Sequence, residues 1–249
     1  MRIIGITGAI GHGKTTLAEA FLKAEPSSVH LESFYVIAEV ADALHAKLAE
    51  PPLPDDLVAI NKWLASLPKI LEKILHLDYQ PSPVIVETAD IHADPAAYEK
   101  LFAHIRLLRD RPELAKQEIT NANKQNYRSI LQWLGGYVST RIDARAWYQE
   151  LVRRAHKAAE DGVELVIVGG VRFPNDASVL REAGGKILKI QRPGLDQADI
   201  QDPTEREREL VEPDSTIINN GTVEDLYARA ATVLTDLRAE RLAPEYHAA

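Results

Sequence analysis

Eight consecutive residues near the amino end, Gly8-Ala9-Ile10-Gly11-His12-Gly13-Lys14-Thr15, satisfy the pattern G-x-x-x-x-G-K-[ST] at every fixed position. The chemistry such a segment offers is anion binding. Gly8, Gly11 and Gly13 let the backbone curl with its N–H groups turned inward. Lys14 supplies a cation for the β- and γ-phosphates of a nucleoside triphosphate such as ATP, and the Thr15 hydroxyl is a ligand for Mg²⁺. Thr16 stands next to it, and His12, at a free position of the pattern, is a further candidate for touching phosphate. By average composition the four fixed positions recur by chance in roughly one chain in a hundred of this length.

That chemistry needs a strand in front of the loop and a helix behind it. Ile3 to Thr7 is a short β-branched run that predicts a buried parallel strand. Leu17, Ala20, Phe21 and Ala24 recur at helical spacing from about Lys14, with Pro26 past the end. Ser27 to Phe34 reads as a second short strand and loop. Residues 35 to 77 read as helical, broken at Pro51-Pro52-Leu53-Pro54, with Ala38, Ala41, Leu44 and Leu48 on one face and Leu57, Ile60, Leu64 and Leu67 on the next. Val84-Ile85-Val86 predicts another strand. Residues 95 to 135 are helical but polar. Asp143 caps a helix lined by Trp147, Leu151, Val152 and Ala155 that stops at Gly162.

Leu165 to Val168, Ile187 to Ile190 and Thr216 to Ile218 complete the strands. Between them lie a short helix from Asp176 to Ala183 and an alternating acid–base run, Glu205 to Leu210, that reads as an exposed helix. Thr222 caps a last helix with Leu226, Ala230, Val233, Leu234 and Leu237 inside. The tail after Arg241 reads as frayed. Strands alternating with helices predict an α/β fold, the three-layer α/β/α arrangement of P-loop NTPases, with a mostly parallel sheet and helical insertions. The whole of 1–249 reads as one kinase-like domain. In a kinase the helical insertion, about 36–135, would be the place to bind the phosphoryl acceptor, and about 194–213 would be a lid-like segment.

Composition narrows the class. The 249 residues are 45% hydrophobic and carry a net charge of −8. A chain this acidic is not built to coat nucleic acid, whose affinity comes from Lys and Arg on phosphates. With no cysteine, disulfides, thiolate zinc and a thiol nucleophile are excluded. No apolar run is long enough to span a membrane. The expectation is a cytoplasmic protein, in the host cytoplasm if phage-encoded, with a nucleotide substrate as its partner; monomer and homodimer both remain open. A guanine-reading N-K-x-D segment is absent, which argues against a GTPase.

Several blocks together resemble the phage-type deoxynucleoside monophosphate kinases. They are Arg128-Ser129-Ile130-Leu131-Gln132-Trp133-Leu134-Gly135, Arg141-Ile142-Asp143 with Trp147, and Val171-Arg172-Phe173-Pro174-Asn175-Asp176-Ala177. Gly184-Gly185, Ile190-Gln191-Arg192-Pro193, Asp202-Pro203-Thr204-Glu205, Asp214 and Asn219-Asn220-Gly221-Thr222 continue the likeness. Dephospho-coenzyme A kinases share the glycine-rich loop and the closing segment. The resemblance implies that Arg172 points into the cleft near the acceptor phosphate, where the carboxyl ends of parallel strands put ligands. It implies that Arg128 and Arg141 meet the acceptor monophosphate, that Gln132 and Trp133 face its base, and that Arg206 and Arg208 belong to a lid over the transferred phosphoryl. Arg192 and Asn219 to Gly221 would frame the adenine. For Trp133 a place in the helical core fits the spacing equally, and the two lid arginines fit a solvated helix.

One departure bears on catalysis. The family carries an Asp just before its Val-Arg-Phe text, and this chain has Gly169-Gly170. Glu87, Asp90 and Glu32 are the candidate replacements, with Glu87 the first choice for Mg²⁺ or the acceptor. The expected reaction is phosphoryl transfer from ATP to a deoxynucleoside monophosphate. The alternatives are a hydroxyl acceptor on dephospho-coenzyme A or a modified nucleotide or base, and a nucleotide-binding protein without catalysis.

Overall fold

The computed structural model describes residues 1–77, 85–195 and 207–247. In chain order the elements are β1 (Arg2–Thr7), α1 (Lys14–Ala24), β2 (Ser28–Glu32), α2 (Ser33–His45), α3 (Leu57–Leu64), α4 (Leu67–Leu75), α5 (Thr88–Ala93) and α6 (Pro95–Asp110). Two 3₁₀ turns, Pro112–Lys116 and Lys124–Tyr127, lead to α7 (Arg128–Arg141) and α8 (Ala146–Glu160). Then follow β3 (Leu165–Gly169), α9 (Pro174–Glu182), β4 (Lys186–Gln191), β5 (Ser215–Ile218), α10 (Val223–Arg238) and β6 (Glu245–Tyr246). They gather into two units. The first is Met1–Ser33 with Leu151–Ala249, and the second is Phe34–Glu150.

The first unit is built on a six-stranded sheet in the order β2-β3-β1-β4-β5-β6, and every pairing is parallel. Strands buried on both faces must be apolar, and Ile3–Ile6 of β1 and the whole of β3 are. On one face Ile4, Ile6, Ile167, Leu188, Ile190 and Ile217 pack on Leu17 and Phe21 of α1 and on Leu226, Ala230 and Val233 of α10. On the other, Gly5 lets α9 close in: a Cβ there would stand 2.8 Å from Leu180 Cδ1 and from Ile187 Cδ1. Helices therefore cover both faces, as the alternation of elements predicts. α10 starts where expected, with Thr222 accepting from Asp225 N and Asp225 accepting from Thr222 N.

Two expectations are corrected. The tail after Arg241 is not frayed over its described length. Glu245–Tyr246 adds a parallel strand beside β5, and the buried Tyr246 hydroxyl donates to Asp236 and accepts from Ala243 N. The run Val84-Ile85-Val86 does not supply a sheet strand: Ile85 and Val86 form a bend, and Val84 lies outside the described residues. Their burial has another cause. Asn61 Oδ1 accepts from the N–H of both Ile85 and Val86 at 2.9 Å, and Asn61 Nδ2 donates to Val86 O at 3.0 Å. One side-chain amide thus does the work of a neighbouring strand, satisfying backbone that would otherwise be buried unpaired.

The second unit is helical. α2 buries Ala38, Ala41 and Leu44, α4 buries Leu67, Ile70, Leu71 and Ile74, and α6 buries Leu101, Ile105 and Leu108. Leu48, expected to continue the face of α2, falls past its end at His45. Asp143 opens the turn before α8, its carboxylate accepting from Arg145 N at 2.7 Å.

Candidate active site

Between β1 and α1 the Gly8–Thr15 loop turns through backbone conformations closed to other residues. Gly8 has φ 149°, and a Cβ there would lie 2.5 Å from the Ile190 carbonyl oxygen. Gly13 has φ 102°, and its Cβ would meet Asn219 Nδ2 at 2.7 Å. Gly13 is also the N-cap of α1, and no side chain caps that end. The first N–H groups of the helix and its positive dipole end therefore remain for an anion. Lys14 Nζ folds back over the loop and donates to the carbonyls of Gly8 and Ala9, each at 2.8 Å. Thr15 is exposed and Thr16 half-buried in the first turn.

The loop is tied to the ends of β4 and β5. Asn219 Nδ2 donates to His12 O at 2.9 Å, and Asn219 N donates to Gln191 O at 2.7 Å. His12 Nδ1 stands 3.4 Å from Ile190 O, while its buried Nε2 has no partner among the described residues. Burial pushes the His12 pKa down and the Ile190 contact opposes this; the charges of Lys14 and Arg208 lower it further, and Glu209 raises it. The imidazole is neutral at pH 7.

Arg208 departs from the exposed helix that the alternating run predicts. It is 7% exposed, on a short helical turn over residues 207–209. Glu209 lies between Lys189, at 3.0 Å, and Arg208, at 3.4 Å. Burial alone would raise the Glu209 pKa, but the two cations outweigh it and hold the carboxylate below its usual range. Arg206 lies outside the described residues, as do Asp202, Pro203, Thr204 and Glu205.

At the carboxyl ends of β2 and β3, Glu32 pairs in register with Gly169. A Cβ on Gly169 would meet Glu32 Oε1 at 2.7 Å and His30 Nε2 at 2.6 Å. The two side chains, 3.4 Å apart, fill the space where a residue-169 side chain would begin. Burial lowers the His30 pKa against the pull of Glu32 and Glu19. Gly170 has φ 72° with open space beside it. Just beyond, the Asp176 carboxylate accepts from Arg172 N at 3.1 Å and Phe173 N at 3.0 Å. That grip fixes the turn from which the exposed Arg172 leaves the sheet. Arg192 and Gly221 are exposed in the segments that follow β4 and β5.

The remaining candidates belong to the second unit. Arg128 and Gln132 are exposed on α7, and Arg141 at its end bonds Asp90 at 2.7 Å. Trp133, by contrast, is 1% exposed and stacks on Tyr137 with ring centroids 5.2 Å apart, the core position its spacing allows. Glu87 is exposed at the N-cap of α5. Among the described residues no group of three or more His, Asp or Glu side chains is arranged to hold a metal ion, and no helix is long and apolar enough to cross a membrane.

A parallel sheet covered on both faces, with a glycine-built anion loop between its central strand and α1, defines a three-layer protein of the P-loop NTPase type. The family model for deoxynucleotide monophosphate kinase matches residues 84–230, more than half of the chain. The chain belongs to that family, and it is accordingly a phosphotransferase. It is 22% identical over 239 residues to a protein named "Putative deoxynucleotide monophosphate kinase" in Acanthamoeba polyphaga mimivirus, covering 92% of this chain and 94% of that one. It is also 31% identical over 120 residues to the uncharacterized protein ORF76 of Ictalurid herpesvirus 1 (strain Auburn), covering 47% of this chain and 49% of the viral protein.

Proposed function

We propose that the chain transfers the γ-phosphoryl group of ATP to a deoxynucleoside monophosphate. An oxygen of the acceptor's phosphate forms the new bond to phosphorus as the bond to the β–γ bridging oxygen breaks, yielding a diphosphate and ADP. The observation that carries this reading is the Gly8–Thr15 loop, where a Cβ at Gly8 or Gly13 would collide with the walls and the helix end is left uncapped. Such a cradle suits a chain of phosphates held by backbone N–H groups.

In this reading Lys14 moves from the Gly8 and Ala9 carbonyls to the triphosphate. Gly11, His12, Thr15 and Thr16 line the phosphate path, and Arg192 and Gly221 frame the base. Mg²⁺ suits the hard oxygen donors available here, the Thr15 hydroxyl and the phosphates themselves, and it neutralises charge on the transferred group. Arg172, Arg206 and Arg208 face the developing negative charge, where a fixed guanidinium is worth most. Arg128 and Gln132, within a helical segment of about 36–135, and Arg141 just beyond it serve the acceptor.

Of the three candidates for the acid that Gly170 lacks, Asp90 is bonded to Arg141, which leaves Glu32 and Glu87. Glu32 is favoured over Glu87, because its carboxylate already occupies the volume beside Gly169, in the unit that holds the loop.

Incubation with Mg-ATP and each deoxynucleoside monophosphate, followed by separation of the products, is the test. At least one diphosphate is expected. None from any of them would sink the proposal, and a phosphorylated hydroxyl on dephospho-coenzyme A or a modified nucleotide would move the acceptor instead.

A further inference from the structure

The resemblance sets Asn219 beside the adenine, but the side-chain amide is turned the other way. It is buried, and its Nδ2 donates to the His12 carbonyl inside the phosphate loop. We infer that Asn219 is a positioning residue for the phosphate cradle, holding it in its triphosphate-accepting shape before any nucleotide arrives. The inference rests on the reading of Gly8–Thr15 as a triphosphate cradle and adds a residue that reading does not contain.

Three contacts argue for it. The His12 carbonyl is an acceptor in the tightest part of the loop, between two glycines with positive φ. Left alone, that peptide could rotate, and rotation would carry with it the Gly13 N–H, which shares its plane and which the cradle reading assigns to the phosphates. The Asn219 bond opposes that rotation. Asn219 is itself fixed, since its backbone N–H donates to Gln191 O in β4. The imidazole of His12 lies against Ile190 O, in the residue just before Gln191. Residue 12 is thus held through its carbonyl by the end of β5 and through its ring by the end of β4. The bare Gly13 Cα is what allows the approach: any side chain there would displace the amide. A loop shaped in advance binds its ligand without ordering itself first, so its affinity is higher.

A cradle strut and a base contact differ in what they do to a ligand with no base. The experiment therefore measures binding of inorganic tripolyphosphate and of ATP to the full chain, wild type, Asn219→Ala and Asn219→Leu, by calorimetry. The Leu variant keeps the buried volume should Ala lose the fold. Both ligands are expected to weaken by the same factor, about tenfold, as the loss of one buried hydrogen bond implies. In turnover the KM for ATP rises while the KM for the acceptor stays put, a split that general destabilisation does not produce. Unchanged tripolyphosphate binding in a variant that melts as a folded protein overturns the inference, and so does a loss confined to ATP. Wild-type protein that binds neither ligand would bring down the triphosphate reading and this inference with it.

Discussion

The Nε2 atoms of His45 and His104 stand 2.8 Å apart inside the helical unit, their rings stacked with centroids 5.0 Å apart. A bond at that distance needs one nitrogen protonated and the other bare, so the pair is held as one donor and one acceptor, both rings neutral. Neither residue is more than 2% exposed. Burial pushes the His45 pKa down to about 4, and burial with the neighbouring His45 pushes His104 to about 3.

That pair sets a direction for stability against pH. Each folded-state pKa lies below the unfolded value of 6.5. Protonation therefore favours the unfolded chain, and the contribution is fully present above pH 6.5 and declines as pH falls toward 4. Each histidine adds up to about 1.4 kcal/mol per pH unit in that window. Urea melts at pH 7.5, 6 and 5 check it: His104→Gln should flatten the wild-type slope, and parallel slopes would contradict it.

Lys14→Ala should reduce turnover by about 10³-fold or more, since it removes the mobile cation of the loop. The melting temperature should move little, because the Lys14 bonds to the Gly8 and Ala9 carbonyls stay within the loop itself. Steady-state kinetics with a thermal melt gives both numbers.

Glu32→Gln should lower kcat by about 10- to 100-fold and raise the Mg²⁺ concentration needed for half-maximal rate, whereas Glu87→Gln should do neither. A Mg²⁺ titration of each variant decides between the two carboxylates. Gly170→Ala is a separate matter of backbone: at φ 72° it should cost about 1–2 kcal/mol of stability.

On α7 the two adjacent candidates should part company. Gln132→Ala should raise the acceptor KM about tenfold and leave the melt alone, because Gln132 is exposed. Trp133→Phe should destabilise by about 1–3 kcal/mol with the acceptor KM unchanged, because the ring is packed on Tyr137.

How far these features are legible in sequence depends on how far apart the partners lie. β1 and the helix after it are plain, because a β-branched run, a glycine pattern and a helical face sit within Ile3–Phe21. Thr222 and Asp225 announce their cap within three residues. The Arg172 turn is half legible: the Val-Arg-Phe-Pro-Asn-Asp text names it, but not the grip of Asp176 on the Arg172 and Phe173 N–H groups. Val84 to Val86 misleads, since a three-residue apolar run looks the same as a strand or as a bend clipped by Asn61, whose amide lies in α3. Arg208 misleads for a related reason. Alternating charge looks solvated, yet Arg208 is 7% exposed, and nothing in the run itself marks it as buried. The Asn219–His12 bond joins residues 207 apart in the chain, and no local pattern carries it.

The order of the strands has a consequence for how the protein is made. β1 sits in the middle of the sheet, with β3 on one side and β4 on the other. Its first partner, Leu165 opposite Arg2, leaves the ribosome only after the entire Phe34–Glu150 unit. For most of synthesis the apolar segment Ile3–Ile6 has no sheet to join, and loop closure over that span is slow. The helical unit can bury its own core in the meantime. Until β3 is made, Ile3–Ile6 has no strand to pair with, and that is the stage at which aggregation competes with folding.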